Sequence, residues 1–240
     1  MVNLLIDAGN TSIKTAISQG GSIMEERRCD RGEMEGIVEG YLQKFSQIDV
    51  IAVSDVRGLD QGLYDYLEGR CRKLVKVKGD MELPIKNRYG TPGTLGADRI
   101  CAAVGAHTLF PEKNCVIVDF GTAITFDFLT KEGEFLGGNI SLGLNTRFKA
   151  LNHFTGKLPL LGKVENISPV GASTKGAIES GVILGTIFEI QGYIDAYPGY
   201  NFIFTGGDAI FFAEKLKSPI FAVCNLVLIG LSQIANTYAV

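Results

Sequence analysis

The sequence has only two histidines, His107 and His153, and none of its five cysteines forms a Cys-x-x-Cys pair. No His/Cys spacing suits zinc. The odd cysteine count, with several thiols in apolar runs, argues against a disulfide scaffold and for a reduced, cytoplasmic chain. Dense basic clusters are also missing. Arg27, Arg28 and Arg31, and the stretch 70–78, are interrupted by acids or apolar residues, and net charge is −3. They read as solvated faces, so no nucleic-acid partner is expected. No basic region precedes the first apolar run, which stops at Asp7, so it is no signal peptide. The late apolar stretch PIFAVCNLVLIGLSQIA holds Asn225, Ser232 and Gln233. It reads as a buried strand and helix, and no membrane partner is expected. Neither G-x-x-x-x-G-K-[ST] nor a G-x-G-x-x-G after a strand occurs.

What remains is a chain of 240 residues with 46% hydrophobic and 20% charged residues, room for two modest domains or one large one. Alternation and turn residues predict strands at 2–7, 12–18 and 22–28, a helix at 33–45, a strand at 50–53, a helix near 59–70 and a strand at 73–77. The order then restarts. Strands are expected at 115–119, 124–129 and 134–138. Helices follow at 144–153 and 174–197, then a strand at 201–204, a helix near 209–217 and a last helix from about 225. A meander followed by α/β units thus occurs twice, which suggests two similar domains, 1–111 and 112–240, facing across a cleft.

LLIDAGNTSIK and VIVDFGTAITF share a local pattern: apolar strand, Asp, one residue, Gly, a small polar residue, second strand. Glycine lets the backbone turn closely around an anion. Thr11, Ser12 and Thr122 add hydroxyls, Lys14 a positive charge, and Asp7 an oxygen for Mg²⁺. A hairpin turn explains one such loop; two in matching contexts point to a nucleoside triphosphate. FIFTGGDA, a strand turning through Gly-Gly into a helix, can admit an adenosine or be a helix entry capped by Asp208.

These motifs, with NRYGTPGTLGADRI between the loops, resemble the type III pantothenate kinases, a branch of the actin-like ATPase superfold. GGNISLGL, GASTKGAIESG and FTGGDA follow in that family's order, and the likeness runs over nearly the whole chain. It implies a duplicated α/β, ribonuclease H-like fold. It also implies phosphorylation of pantothenate by ATP, the entry to coenzyme A synthesis. Under this resemblance Asp7, Ala8, Gly9, Asn10, Thr11, Ser12, Ile13 and Lys14 match the nucleotide-phosphate loop, and Thr122 a further ATP contact. Tyr89, Gly96, Ala97, Asp98, Arg99 and Thr174 match the substrate pocket, with Asp98 as general base. Asp119 matches a ligand for potassium or ammonium, beside Mg²⁺ carried with ATP. A homodimer with the pocket at its interface is implied too. The family usually has Pro-Gly after GGNIS, where this chain has Leu142-Gly143, and the segment 152–171 carries few motif residues.

Elementary chemistry agrees about Asp98, placed in the first turn of a helix whose dipole favours a carboxylate. A carboxylate that accepts the alcohol proton is a recurring protein contribution to phosphoryl transfer. Arg99 can hold a substrate carboxylate or form a structural ion pair. Tyr89 also fits plain aromatic packing, and Thr174 a helix cap. Two other functions fit the same features, an ATP-gated regulatory module and a kinase for another hydroxylated metabolite.

Overall fold

The computed structural model describes residues 1–45 and 47–239. The chain divides into two compact units. The first holds Met1–Lys113, Leu129–Gly137 and Asn225–Val240; the second holds Asn114–Phe128 and Gly138–Cys224.

In the first unit, β1 (Val2–Ala8), β2 (Ile13–Gln19) and β3 (Ser22–Cys29) form an antiparallel meander. β4 (Val50–Asp55) lies parallel to β1, and β5 (Lys73–Lys76) parallel to β4. The sheet order is β3-β2-β1-β4-β5. Strand side chains alternate between faces. Leu4, Ile6 and Ala8 therefore share a core with Ile51 and Val53 of β4 and with Val38, Tyr41, Leu63 and Leu67. The last four lie on α1 (Met34–Phe45) and α2 (Gln61–Glu68). The alternate residues Asn3, Leu5 and Asp7 point to the other face.

That face carries α3 (Ala97–Leu109) and α7 (Leu226–Tyr238). Asn3 Nδ2 donates to Asn236 Oδ1 at 3.0 Å, and the Ser18 and Ser232 hydroxyls meet at 2.5 Å. These polar pairs, the second of them buried, fix how α7 docks. α3 and α7 pack backbone to backbone, because a Cβ at Gly230 would lie 1.8 Å from the Cys101 carbonyl oxygen. The first-unit sheet thereby acquires a rigid helix pair against the end of β1 that bears Asp7. A short strand, β6 (Lys86–Asn87), pairs with the start of β9 (Glu134–Leu142).

The second unit repeats this plan. β7 (Cys115–Phe120), β8 (Ala123–Leu129) and β9 form the meander, with β10 (Asn201–Gly206) and β11 (Ile220–Ala222) beyond β7. The order β11-β10-β7-β8-β9 mirrors β5-β4-β1-β2-β3 element for element. The core joins Val116, Val118, Phe126 and Phe204 to α4 (Leu144–Phe154), α5 (Thr174–Ala196) and α6 (Ala209–Lys215). Phe126, Phe148, Phe204 and Phe212 are fully buried. Each such side chain contributes roughly 1.5–3 kcal/mol.

Most expected elements form within a few residues of their predicted bounds. β6 is the strand that the alternation missed, being too short to show a period. β11 differs in character: Phe221 and Ala222 are exposed, because the strand closes the sheet edge instead of entering the core. No helix among the described residues is long and apolar enough to cross a membrane.

Candidate active site

In the first unit, the chain leaves β1 at Ala8 and turns through residues 9–12 into β2. Gly9 N–H donates to the Ser12 carbonyl at 3.2 Å, while Asn10 and Thr11 stay exposed. Asp7 sits opposite Lys14 on β2 and opposite Ser54 on β4. Its side chain points toward the α3/α7 face. Asp7 Oδ1 and Ser54 Oγ are buried, and neither completes a hydrogen bond within the protein. Burial pushes the Asp7 carboxyl up to about 6; the Lys14 charge lowers it and the Asp98 carboxylate raises it. The Ser54 hydroxyl is close enough to oppose the shift, though short of a formed bond.

Asp98 stands in the first turn of α3, after the N-cap Gly96. Its Oδ1 accepts the Arg99 N–H at 2.8 Å. Burial raises its carboxyl above the usual range, and the Arg99 amide and guanidinium pull it back. Arg99 is buried, with its guanidinium carbon 5.6 Å from the centre of the Tyr89 ring. Tyr89 also packs against Phe135 at 6.3 Å, so the ring has the packing role its residue type suggests while still flanking Arg99. One turn after Asp98, the wholly buried Cys101 thiol is raised well above its ordinary range by burial, with Asp7 and Asp98 adding to the shift. A cavity of about 660 Å³ opens beside Gly96 and Ala97, lined also by Asp55, Tyr64, Lys76 and Lys78. Asp98, Arg99 and Tyr89 are not among its lining residues.

The second unit has its own loop at residues 121–122, after Asp119 near the end of β7. Gly121 and Thr122 are exposed. Gly121 N–H donates to the Ala123 carbonyl at 3.0 Å. The Thr122 carbonyl accepts the Gly143 N–H at 3.1 Å and the Thr146 hydroxyl at 2.6 Å. Gly206, at φ +89°, closes on Asp119: a Cβ there would lie 2.4 Å from Asp119 Oδ1. Gly207 N–H bonds the Phe120 carbonyl at 3.0 Å.

At two positions read as either a cap or a ligand contact, the cap does not form. Asp208 makes no capping bond to α6 and accepts Lys163 Nζ at 2.8 Å instead, the lysine charge outcompeting the helix amides. The cap of α5 is Ser173, whose hydroxyl accepts Gly176 N–H at 3.1 Å, and the neighbouring Thr174 is exposed at the helix start. Sequence reasoning also missed four residues: Ser54 and Cys101 near Asp7, Thr146 on the Thr122 carbonyl, and Arg147 on the neighbouring segment 141–142. The strand alternation that places Asp7 also places Ser54. No local signal marks the others.

Among the described residues, no group of three His, Cys, Asp or Glu side chains could hold a metal ion. A single carboxylate with an unpartnered inner oxygen beside a hydroxyl-rich loop fits a hard divalent ion that takes its remaining ligands from nucleotide phosphates and water.

The family model described as type III pantothenate kinase matches residues 3–196. A type III pantothenate kinase of Cytophaga hutchinsonii is 42% identical over 240 residues, covering 98% of this chain and 99% of that protein. A solved Campylobacter jejuni structure, described as a conserved putative Baf family transcriptional activator, has a TM-score of 0.66 at 22% identity and covers 98% of each chain. A putative 2-dehydro-3-deoxygalactonokinase of Sinorhizobium meliloti reaches 0.62 at 15% identity, covering 98% of this chain and 99% of its own. Identities that low show the fold alone, that of the actin-like ATPases and sugar kinases. With the family model over most of its length and a near full-length relative at that identity, the chain belongs to the type III pantothenate kinase family.

Proposed function

We propose that Asp98 is the general base with which this pantothenate kinase deprotonates its acceptor. The observation that carries the reading is that two half-buried carboxylates, Asp98 and Asp7, lie close enough on one face of the first unit to feel each other's charge. The acceptor hydroxyl gives its proton to Asp98. Its oxygen forms the new bond to the terminal phosphorus of ATP, and the bond from that phosphorus to the bridging oxygen breaks, leaving ADP. A carboxyl raised by burial is a stronger base than a free aspartate. The Arg99 amide holds it in one orientation. The Arg99 guanidinium and Tyr89 receive the acceptor, with Gly96, Ala97 and Thr174 as further contacts.

Residues 7–14 take the nucleotide's phosphates through loop amides and the Thr11, Ser12 and Lys14 side chains. Thr122 adds an ATP contact in the second unit. Asp7 would hold the Mg²⁺ carried with ATP, which would supply charge neutralisation at the phosphates. Asp119 would hold a monovalent cation, a role supported by the cradle that Gly206 keeps free of side chain. A homodimer is supported by an apolar cavity of about 810 Å³ between α4 and α5, with Phe154 82% exposed at its rim. Five free cysteines support a reducing, cytoplasmic setting.

The test is a coupled assay with purified protein, ATP, Mg²⁺ and a potassium salt. Pantothenate-dependent ADP release is expected, and it should disappear in Asp98→Asn while nucleotide binding by calorimetry persists. Undiminished turnover in that variant removes Asp98 as the base.

A further inference from the structure

The second loop is braced by residues outside every motif singled out in the sequence. Arg147, in the first turns of α4, makes three bonds with one planar group. Its Nε donates to the Leu142 carbonyl at 2.8 Å, and one terminal nitrogen donates to Ser141 Oγ at 2.9 Å. The same nitrogen pairs with the Glu189 carboxylate of α5. Both ionic side chains are mostly buried, at 21% and 25% exposure. A fork held on three sides cannot swing, so Ser141 and Leu142 are tied to α5 through it.

The next residue is Gly143, which lies directly on the loop. A Cβ there would fall 2.2 Å from the Gly121 carbonyl and 2.5 Å from that of Thr122. Its N–H and the Thr146 hydroxyl both bond the Thr122 carbonyl. A carbonyl with two donors fixes the peptide plane after Thr122, and with it the direction of that residue. Leu142 has no ring to fix its φ, as a proline would. The Arg147 fork supplies that restraint from outside.

We propose that Thr146 and Arg147 are positioning residues for ATP, holding Thr122 in the orientation that meets the nucleotide. The inference rests on the reading of Thr122 as an ATP contact. It assigns to two side chains a role exerted through the Thr122 carbonyl and the segment 141–143.

The experiment compares Thr146→Val, Arg147→Lys, Thr122→Val, and Arg147→Lys combined with Leu142→Pro in the full chain. Steady-state kinetics, calorimetric nucleotide binding and Tm are read for each. Thr146→Val and Arg147→Lys should each raise KM and Kd for nucleotide about tenfold, the worth of one or two hydrogen bonds. KM for pantothenate and Tm should barely move. Adding Leu142→Pro to Arg147→Lys should restore most of the lost nucleotide affinity. Unchanged nucleotide affinity in the Thr146 and Arg147 variants, with Thr122→Val weakened, overturns the positioning role alone. Unchanged affinity in Thr122→Val overturns the parent reading and this one with it. Losses confined to Tm, or a proline that restores nothing, reduce Arg147 to a packing residue.

Discussion

The two Asp-x-Gly loops share a sequence pattern and a place in the same strand order, yet the protein builds them differently. The first, residues 9–12, is longer and closes on itself through the Gly9–Ser12 bond. Behind it, Asp7 keeps an unpartnered buried oxygen with a second carboxylate near it. The second, residues 121–122, is shorter, closes through the Gly121–Ala123 bond and is also clamped from outside by Gly143 and Thr146. One loop stores electrostatic tension, and the other is held by geometry. Phosphoryl transfer in general needs charge stabilised where it develops and a donor fixed in line.

The strongest way to break this contrast is Asp98→Asn. If the first unit carries the chemistry, kcat should fall about 10²–10⁴-fold, the usual worth of a general base, with nucleotide affinity kept. Rapid-quench turnover against calorimetry separates the two.

Asp7→Asn tests the stored tension through stability. The native carboxyl titrates near 6 against an ordinary 3.8. A raised acid holds its proton longer in the folded state, so its contribution is harmless below the ordinary value and unfavourable above the native one. Stability is lost as pH rises between them, by about 3 kcal/mol in all. The amide removes that cost. Activity should disappear, while Tm rises by several degrees at pH 8 and by nothing near pH 3.5. A Tm that falls at pH 8 would show that Asp7 is not strained.

The smallest change sharpens the other side. Gly143→Ala forces a methyl against two loop carbonyls, so the second loop must shift. Affinity for ATP should fall roughly tenfold with kcat less affected, as expected when uniform binding is lost. An equal loss in kcat would mean that the second loop also acts on the transition state.

Much of this could be read along the chain. Apolar alternation marked β1 and β7, Asp-x-Gly marked both turns, and LGADR placed Asp98 at a helix start. Those features depend on neighbours a few residues away, which is the range of turn chemistry and strand period. The third-strand partner of Asp7 was not legible. Ser54 reaches it only because β4 pairs parallel to β1 in one register. Nor does any local pattern predict that Gly230 lets α7 settle on α3 and close the face that holds Asp7 and Asp98.

By itself, then, the sequence determined the duplicated strand order, the two loops and the family, because periodicity, glycine and carboxylate placement are local properties. Only the tertiary structure decided that one Asp7 oxygen is buried without a hydrogen-bond partner and that the Thr122 carbonyl is bonded from two sides. Burial and hydrogen bonding between distant residues arise when segments far apart in the chain pack together.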